Sequence, residues 1–350
     1  MHSMSDKHFM DGESYRDSSQ LRIRPFSVAD APVLFRLPGT LRLDVPDSLV
    51  YRTGRIDIAA ALPILRKDRP ILVAALDGRQ VGYVRFSPRS PDGRWVATAI
   101  AASTGVYAPG PVWEALLHHA VRAAGLRGVR RLFARVPIEH PLIETMHESG
   151  WASYGTETVF RAERATPMGR QSRAIRRQEP ADTWAIHQLY AAATPRQIQE
   201  VEALTSHVWH MDQRKRKKAA TKQSGWLLDD DGTLRAYARF TRGSRAAMID
   251  IVTPPGEPES FGELLDGVLT TVSRSRPIYF ALRGHLGDLK RLLDDRGFHE
   301  IGEQELLIRY TTATVRAPAA DPVHFPVELR PALPRRVPTF LEGQAMDGGI

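Results

Sequence analysis

The sequence predicts an α/β protein (α+β, with a mixed sheet) built as two tandem copies of one domain. Between residues 130 and 161 a strand, a helix and two extended segments follow one another. In addition, three blocks of residues recur later in the chain at a nearly constant offset, which is the signature of a duplicated structural unit. The length of 350 residues is sufficient for two domains that each bury a core.

The composition narrows the function classes. The chain has no cysteine, which excludes disulfides, thiolate zinc sites and a cysteine nucleophile. The first twenty residues are polar, and no apolar run is long enough to cross a bilayer, so we expect a cytoplasmic protein with no membrane partner. The formal net charge of +8 favours anionic partners such as phosphorylated cofactors or RNA.

The first half begins with strand-like alternation after a polar tail. The tail, residues 1–20, has no periodicity and is expected to be disordered. Asp77-Gly78 is a favourable hairpin turn between two apolar runs. In order, the expected elements are a strand at 21–24, a helix from Val28, a helix at 56–65, a hairpin of 71–76 with 80–86, a strand at 95–102 and a helix at 113–126.

The stretch from Arg130 completes this half. The apolar run 132–136 predicts a buried strand, and helical spacing of apolar residues begins at Leu142. Gly150 is placed as a helix stop, and an extended segment starts at Trp151. We expect Gly155 to turn the chain into a second strand at 156–161.

The same pattern then recurs. The repeated blocks keep their order and their offset, which predicts a second copy of the domain. The matching sets are Ile23, Arg24, Ala29, Asp30 and Leu37 with Ile175, Arg176, Ala181, Asp182 and Leu189; Asp77, Gly78, Tyr83, Arg85 and Phe86 with Asp231, Gly232, Tyr237, Arg239 and Phe240; and Leu142, Gly150, Trp151 and Gly155 with Leu289, Gly297, Phe298 and Gly302.

These blocks divide the chain into segments. The first domain is expected at 21–165 and the second at 174–314, with a polar linker between them. Six prolines between 318 and 338 exclude a helix after the second domain. Residues 315–350 are therefore expected to form an extended Pro-rich tail.

The helix that ends at Gly150-Trp151 and the two extended segments that follow it resemble the C-terminal half of a GNAT acyltransferase domain. Residues 21–37 are similar to the first strand and helix of that family. The resemblance implies two tandem GNAT-like domains and an N-acyltransferase. Such an enzyme transfers an acyl group, usually acetyl, from acetyl-CoA or another acyl-CoA to an amine of a small molecule or a peptide.

In the GNAT family the cofactor's pyrophosphate is held by backbone amides of a Gly-rich pattern at a helix start. The residues implied for this role are Ala102, Gly105, Val106, Gly110 and Trp113. The sequence departs from the family pattern, because Pro111 and Trp113 stand at the glycine positions of the first half and Glu259 and Phe261 at those of the second. We therefore expect Trp113 to narrow the pyrophosphate site. With these degenerate motifs, acetyl-CoA is expected to bind weakly or not at all.

Three side chains are candidate catalytic groups. Glu139 and His140 follow the strand at which GNAT substrate and cofactor meet, where either could act as a general base. A carboxylate at a helix start with an exposed histidine is the alternative. Asp250 interrupts an apolar run, which projects an acid from a central strand into the cleft or onto a solvated face. If one half is active, Gly105 and Gly110 favour the first.

Two other functions stay open. The degenerate motifs are compatible with a catalytically retired tandem module for binding or assembly. Tandem GNAT-like Fem-type transferases instead use aminoacyl-tRNA, and the basic residues Arg214, Lys215, Arg216, Lys217 and Lys218 could contact RNA or form a solvated helix face.

Overall fold

The computed structural model describes residues 21–34, 37–43, 70–89, 93–103, 109–169, 172–211, 222–243, 245–272 and 276–312. The tail 1–20, the expected helix at 56–65, the basic cluster at 214–218 and the Pro-rich tail lie outside these residues. Within the described ranges, no helix is long and apolar enough to span a bilayer.

The elements follow the predicted order in each half. The strands are β1 (Leu21–Pro25), β2 (Leu41–Arg42), β3 (Ile71–Leu76), β4 (Arg79–Arg89), β5 (Arg94–Ala102), β6 (Arg131–Pro137), β7 (Ala152–Ala162), β8 (Ile175–Arg177), β9 (Lys222–Asp230), β10 (Thr233–Arg242), β11 (Ala247–Val252), β12 (Ile278–Arg283) and β13 (His299–Tyr310). The α-helices are α1 (Ala31–Leu34), α2 (Pro109–Gly125), α3 (Leu142–Glu148), α4 (Thr183–Ala193), α5 (Arg196–Glu202), α6 (Pro258–Thr271) and α7 (Lys290–Asp294).

The described strands form one continuous sheet, and its mixed character was predicted. Its order is β1-β3-β4-β5-β6-β13-β7-β12-β11-β10-β9-β8, with β2 beside β5. The pairs β5–β6 and β11–β12 are parallel, and the remaining pairs are antiparallel. Each half therefore contributes one parallel pair at an equivalent place.

The first repeated block is an arginine–aspartate pair that ties the first strand of each half to the turn after it. Arg24 donates to Asp30 at 2.6 Å, and Arg176 donates to Asp182 at 2.8 Å. Each aspartate also accepts a backbone N–H from the turn, at Ser27 and Glu179. The arginine lowers the pKa of both carboxyls, against the opposing effect of burial.

The second repeated block is a tight hairpin turn. Asp77 and Gly78 have φ values of 49° and 78°, and Asp231 and Gly232 have 48° and 84°. Positive φ at both central residues gives the backbone twist that joins two antiparallel strands, and glycine adopts it without strain. This explains why the Asp-Gly pair recurs.

The two halves exchange their last strands. β13, at the end of the second half, pairs with β6 of the first half, while β7, at the end of the first half, pairs with β12 of the second. Each hydrophobic core accordingly includes a residue from the other half: Leu307 packs in the first core and Phe160 in the second.

The exchanged strands meet at a pseudo-twofold axis. Glu157 on β7 lies directly opposite Gln304 on β13, and these two positions are repeat-related by the offset of 147 that links Gly150 to Gly297. The register shifts that skip Tyr154 on β7 and Ile301 on β13 obey the same offset. The axis therefore passes between Glu157 and Gln304.

One element prediction was wrong. Gly155 does not turn the chain, because β7 runs without interruption from Ala152 to Ala162. The strand continues because its first part pairs with the C-terminal part of β13 and its later part is flanked on both sides, by β12 and β13. The irregularity in this segment is the bulge at Tyr154, beside Gly155.

Candidate functional site

In both halves the parallel pair of strands diverges after three residues. β5 pairs with β6 at 94–96 and 131–133, and β11 pairs with β12 at 247–249 and 278–280. Beyond these positions the strands continue without hydrogen bonding each other. The carboxyl ends of diverging parallel strands leave a crevice in which ligands are commonly bound.

In the second half the diverging strands face a cavity of about 250 Å³. The sheet forms one wall through β10, β11 and β12, and α4, α5 and the 3₁₀ turn Ser206–Trp209 form the other. Its apolar lining includes Ile198, Leu204, Val208, Ile251, Val252 and Leu286. Its polar lining includes Arg135, Glu157, Tyr190, Glu202, Arg239, Asp250 and Arg283.

Four of these polar residues form a connected ion-pair network. Glu157 lies 2.6 Å from Nε of Arg135 and 3.5 Å from Nε of Arg283. Arg283 also donates from Nη2 to Glu202 at 2.7 Å. Gln304 donates to Glu157 at 2.6 Å, so the pseudo-twofold axis passes beside this network.

Glu202 and Arg283 stay charged in this network despite their burial. Burial opposes the charge of Glu202, but Arg283 and the hydroxyl of Tyr190, which donates to Glu202 at 2.8 Å, outweigh it and lower the pKa of Glu202. For Arg283, burial is likewise outweighed by Glu202 and Glu157, which raise its pKa. Burial and the charge of Glu202 raise the pKa of Tyr190, so its phenol stays protonated.

Asp250 differs from the other carboxylates of the cavity. It lies on β11 opposite Arg239 of β10, and no hydrogen bond to its carboxylate occurs among the described residues. Burial raises the pKa of Asp250 to about 6, although Arg239 and Arg135 oppose this shift. Of the two orientations considered for this strand acid, the structure shows the one that faces the cleft. Its catalytic role stays a prediction.

Glu139 and His140 do not line the cavity. They form the turn between β6 and α3, where Glu139 is exposed and Nδ1 of His140 accepts the backbone N–H of Leu142 at 3.1 Å. Burial lowers the pKa of His140, whose ring packs 5.7 Å from that of Trp113. These contacts give His140 a role in starting α3, and the catalytic role of both residues remains a prediction.

The residues implied for the cofactor are placed as follows. Ala102 is the buried last residue of β5, Gly110 is half-buried in the first turn of α2, and Trp113 is only 7% exposed in the first core. Gly105 and Val106 lie outside the described residues. Trp113 and its repeat counterpart Phe261, which is fully buried, therefore both act as core residues.

The described helix starts do not fit a pyrophosphate. α2 begins with Pro109 and includes Pro111 in its first turn, so two backbone N–H groups that would point at phosphate are missing. α6 begins at Pro258 with Glu257 as its N-cap and Glu259 in its first turn. These carboxylates bring negative charge to the helix end at which an anion would bind.

The network was not predicted from the sequence, because its members are far apart in the chain. A usable signal was present for Arg135, which interrupts an apolar run as Asp250 does. Glu157 instead matched the polar positions of a half-buried strand. Both edges of β7 at this point are paired only because the halves exchange strands.

No protein-family model matches the sequence, and no curated protein matches it. Among solved structures, a tandem GNAT protein from the clavulanic acid biosynthesis pathway, determined without AcCoA, matches 84% of this chain and 100% of its own, with 14% identity and a TM-score of 0.50. A GCN5-related N-acetyltransferase from Sphaerobacter thermophilus matches 84% of this chain and 96% of its own, with 13% identity and a TM-score of 0.54. At such identities the likeness concerns the fold, and it confirms the predicted tandem arrangement.

Proposed function

We propose that this chain, which has the tandem GNAT fold, uses the cavity of its second half to bind a small amine as the acceptor site of an N-acyltransferase. One observation carries the proposal: Asp250 faces this cavity, at the diverging ends of β11 and β12, without a hydrogen-bond partner among the described residues. A protonated amine would supply the missing donors.

The size of the cavity favours a small acceptor. A volume of about 250 Å³ lies below the roughly 300–1,000 Å³ of sites for drug-sized ligands. It exceeds the cavity of about 150 Å³ that holds one benzene molecule. The acceptor is therefore expected to be a compact molecule or a single side chain.

Asp250 has the properties of a proton acceptor for such an amine. With a pKa of about 6 it is ionised at pH 7, so it can bind the ammonium group and take the proton that the amine must lose before attacking an acyl carbonyl. Tyr190 is a poor alternative, because its hydroxyl donates to Glu202 and its pKa is raised.

A catalytically retired binding module is the second candidate function. The prolines and glutamates at the starts of α2 and α6 favour it, because they remove or repel the contacts that acetyl-CoA would need. Titration calorimetry with acetyl-CoA separates the two candidates. Micromolar binding would reject the retired module, whereas amine binding without acetyl-CoA binding would support it.

A third candidate function, the transfer of an aminoacyl group from tRNA, would use the basic cluster at 214–218, which lies outside the described residues. If this cluster binds RNA, neutralising several of its charges should weaken binding and flatten its salt dependence. Absence of RNA binding at low salt would remove this function.

The amine site is tested by comparing Asp250→Asn with Asp288→Asn, an exposed aspartate of the same half. We expect Asp250→Asn to weaken the binding of a panel of small primary amines by at least tenfold at pH 7.5 and Asp288→Asn to leave it unchanged. In the unmodified protein, amine affinity should fall below about pH 6 as Asp250 takes up a proton. Equal amine affinity of the two variants would reject the proposal.

A further inference from the structure

The cavity presents a donor as well as an acceptor without a partner. Of the three nitrogens of Arg283, Nε contacts Glu157 and Nη2 donates to Glu202. Nη1 is buried and has no hydrogen-bond partner among the described residues. Buried arginine nitrogens are normally satisfied, so this position requires an explanation.

Two other cavity residues carry buried polar atoms that have no hydrogen-bond partner among the described residues. They are Oγ1 of Thr253, whose side chain is 1% exposed, and Nδ1 of His285. Together with Asp250, they give the cavity both donors and acceptors that no described group of the protein uses. A ligand that fills it is therefore expected to be polar at more than one point.

The charges of the cavity favour a ligand whose own charges balance. Its lining contains three arginines and three carboxylates, Arg135, Arg239, Arg283, Glu157, Glu202 and Asp250, which balance when all are ionised. Burial lowers the pKa of His285 and keeps it neutral. A lone cation or a lone anion would add one uncompensated charge to a desolvated site, so we expect it to bind more weakly than a ligand that carries both charges.

Asp250 and Arg283 lie on the same face of the sheet. The parallel register pairs Ile249 with Phe280, so continuing it places Asp250 beside Ala281, two residues before Arg283. Strand geometry would separate the two Cα atoms by roughly 8 Å if the strands stayed paired, and the divergence of the strands beyond this pair makes the separation larger. A short molecule with charged groups at both ends can contact both side chains.

We propose that the cavity binds a zwitterionic amino acid, with its ammonium group on Asp250 and its carboxylate on Nη1 of Arg283. The assignment rests on the proposed amine site and adds the carboxylate as the second recognised group. Arginine is well suited to this role, since its planar guanidinium matches a carboxylate. The apolar lining would receive the amino acid's side chain.

The first experiment uses the unmodified protein. Melting temperatures are measured at pH 7.5 with each of the twenty L-α-amino acids, β-alanine and γ-aminobutyrate at millimolar concentration, because a ligand of the folded state raises the melting temperature. The strongest binder is then compared by calorimetry with its carboxamide, which lacks the carboxylate, and with its deaminated acid. We expect the amino acid to bind at least tenfold more tightly than either analogue.

The outcomes separate this inference from the proposed amine site. A carboxamide that binds as tightly as the amino acid would overturn the role of Arg283 and leave the amine site standing. A deaminated acid that binds as tightly would overturn both. No shift in melting temperature with any compound of the panel would overturn the amino-acid assignment.

A pair of variants tests the residue itself. Arg283→Lys keeps the charge but loses the planar fork, and we expect it to weaken binding of the amino acid at least tenfold while changing that of its carboxamide less than twofold. Arg296→Lys alters a buried arginine that does not line this cavity and should change neither affinity. Equal losses for amino acid and carboxamide in Arg283→Lys would contradict the inference. If Arg283→Lys does not fold, the ligand comparison decides.

Discussion

The two halves share their framework but differ where the sheet faces the cleft. Arg239 on β10 lies opposite Asp250, whereas the repeat-related Arg85 on β4 lies opposite Ala99, which is buried. By contrast, the arginine–aspartate pairs and the Asp-Gly turns are the same in both. The duplication has therefore kept the residues that shape the backbone, and the chemistry of the two clefts has diverged.

A second difference lies on the other face of the sheet. In the second half, Asp266 on α6 pairs with Arg296 at 2.7 Å, both nearly fully buried, and accepts the backbone N–H groups of Met168 and Gly169. Aligning Leu264-Leu265 with Leu116-Leu117 places the exposed His118 where Asp266 stands. The Asp266–Arg296 pair thus anchors the linker to the second half.

The largest expected effect comes from breaking this pair. Arg296→Ala should lower the free energy of unfolding by about 3–5 kcal/mol, because it leaves Asp266 buried without its partner. Urea denaturation measures the loss. Arg291 is an exposed residue of α7, which ends just before Arg296. Arg291→Ala should change stability by less than about 0.5 kcal/mol, and equal effects would show that the pair does not anchor the linker.

The second-largest effect concerns Asp250, which lies opposite Arg239 as Ala99 lies opposite Arg85. The pKa of Asp250 is about 6 in the folded protein against a reference of 3.8, so the folded state binds this proton more tightly than the unfolded state. Stability is therefore lost as pH rises from about 4 to 6. Asp250→Asn removes this loss. We therefore expect the difference in free energy of unfolding between the variant and the unmodified protein to be up to about 3 kcal/mol more favourable to the variant at pH 8 than at pH 4.

Denaturation of both proteins across this pH range checks the prediction, with Asp288→Asn as the exposed control. A stability difference that does not depend on pH would show that Asp250 titrates normally.

A smaller effect compares the two repeated aspartates. The side chain of Asp30 is 1% exposed and is bound by Arg24, Ser27 and Gln80, whereas the side chain of Asp182 is 12% exposed. We expect Asp30→Asn to cost about 2 kcal/mol and Asp182→Asn about 1 kcal/mol at pH 7.

The pKa of both aspartates is lowered, so their contribution is present above the ordinary aspartate pKa near 3.8 and is lost as the pH falls below it. Acid denaturation should therefore show a flatter stability profile below pH 4 for Asp30→Asn than for the unmodified protein. A larger cost for Asp182→Asn would contradict the comparison.

The smallest effect is expected to be equal in the two halves. Gly78 and Gly232 have positive φ, and a Cβ atom added at either would meet no other atom within 4 Å. The cost of Gly78→Ala and Gly232→Ala is then the backbone strain alone, about 1 kcal/mol in each case. Thermal denaturation of both variants tests the equality, and a difference well above this value would mean that the turns are not equivalent.

What could be predicted from the sequence was local. The positive φ of Asp77-Gly78 and the helix stop at Gly150 follow from the properties of single residues, so their recurrence also revealed the duplication. Asp250 could be singled out because an acid within an apolar strand is unusual.

The remainder depends on contacts between distant segments. The residues 156–161 carry no local pattern that predicts pairing with β12 of the other half. Without that pairing, the glycine at 155 indicated a turn between two short strands. The exchange of strands also brings Arg135 and Glu157 to the cavity of the second half, beside Arg283. Such a network exists only after long-range pairing, which local patterns do not record.

The exchange of last strands also constrains how the chain is made. The edge of β6 at Pro137 is completed only by Gln304, roughly 170 residues later. At a synthesis rate of about 5–20 residues per second, the nascent first half waits on the order of ten to thirty seconds with an open strand edge. Exposed edges invite pairing with other chains, so folding of this protein on the ribosome should depend on chaperones that cover that edge until the final strand emerges.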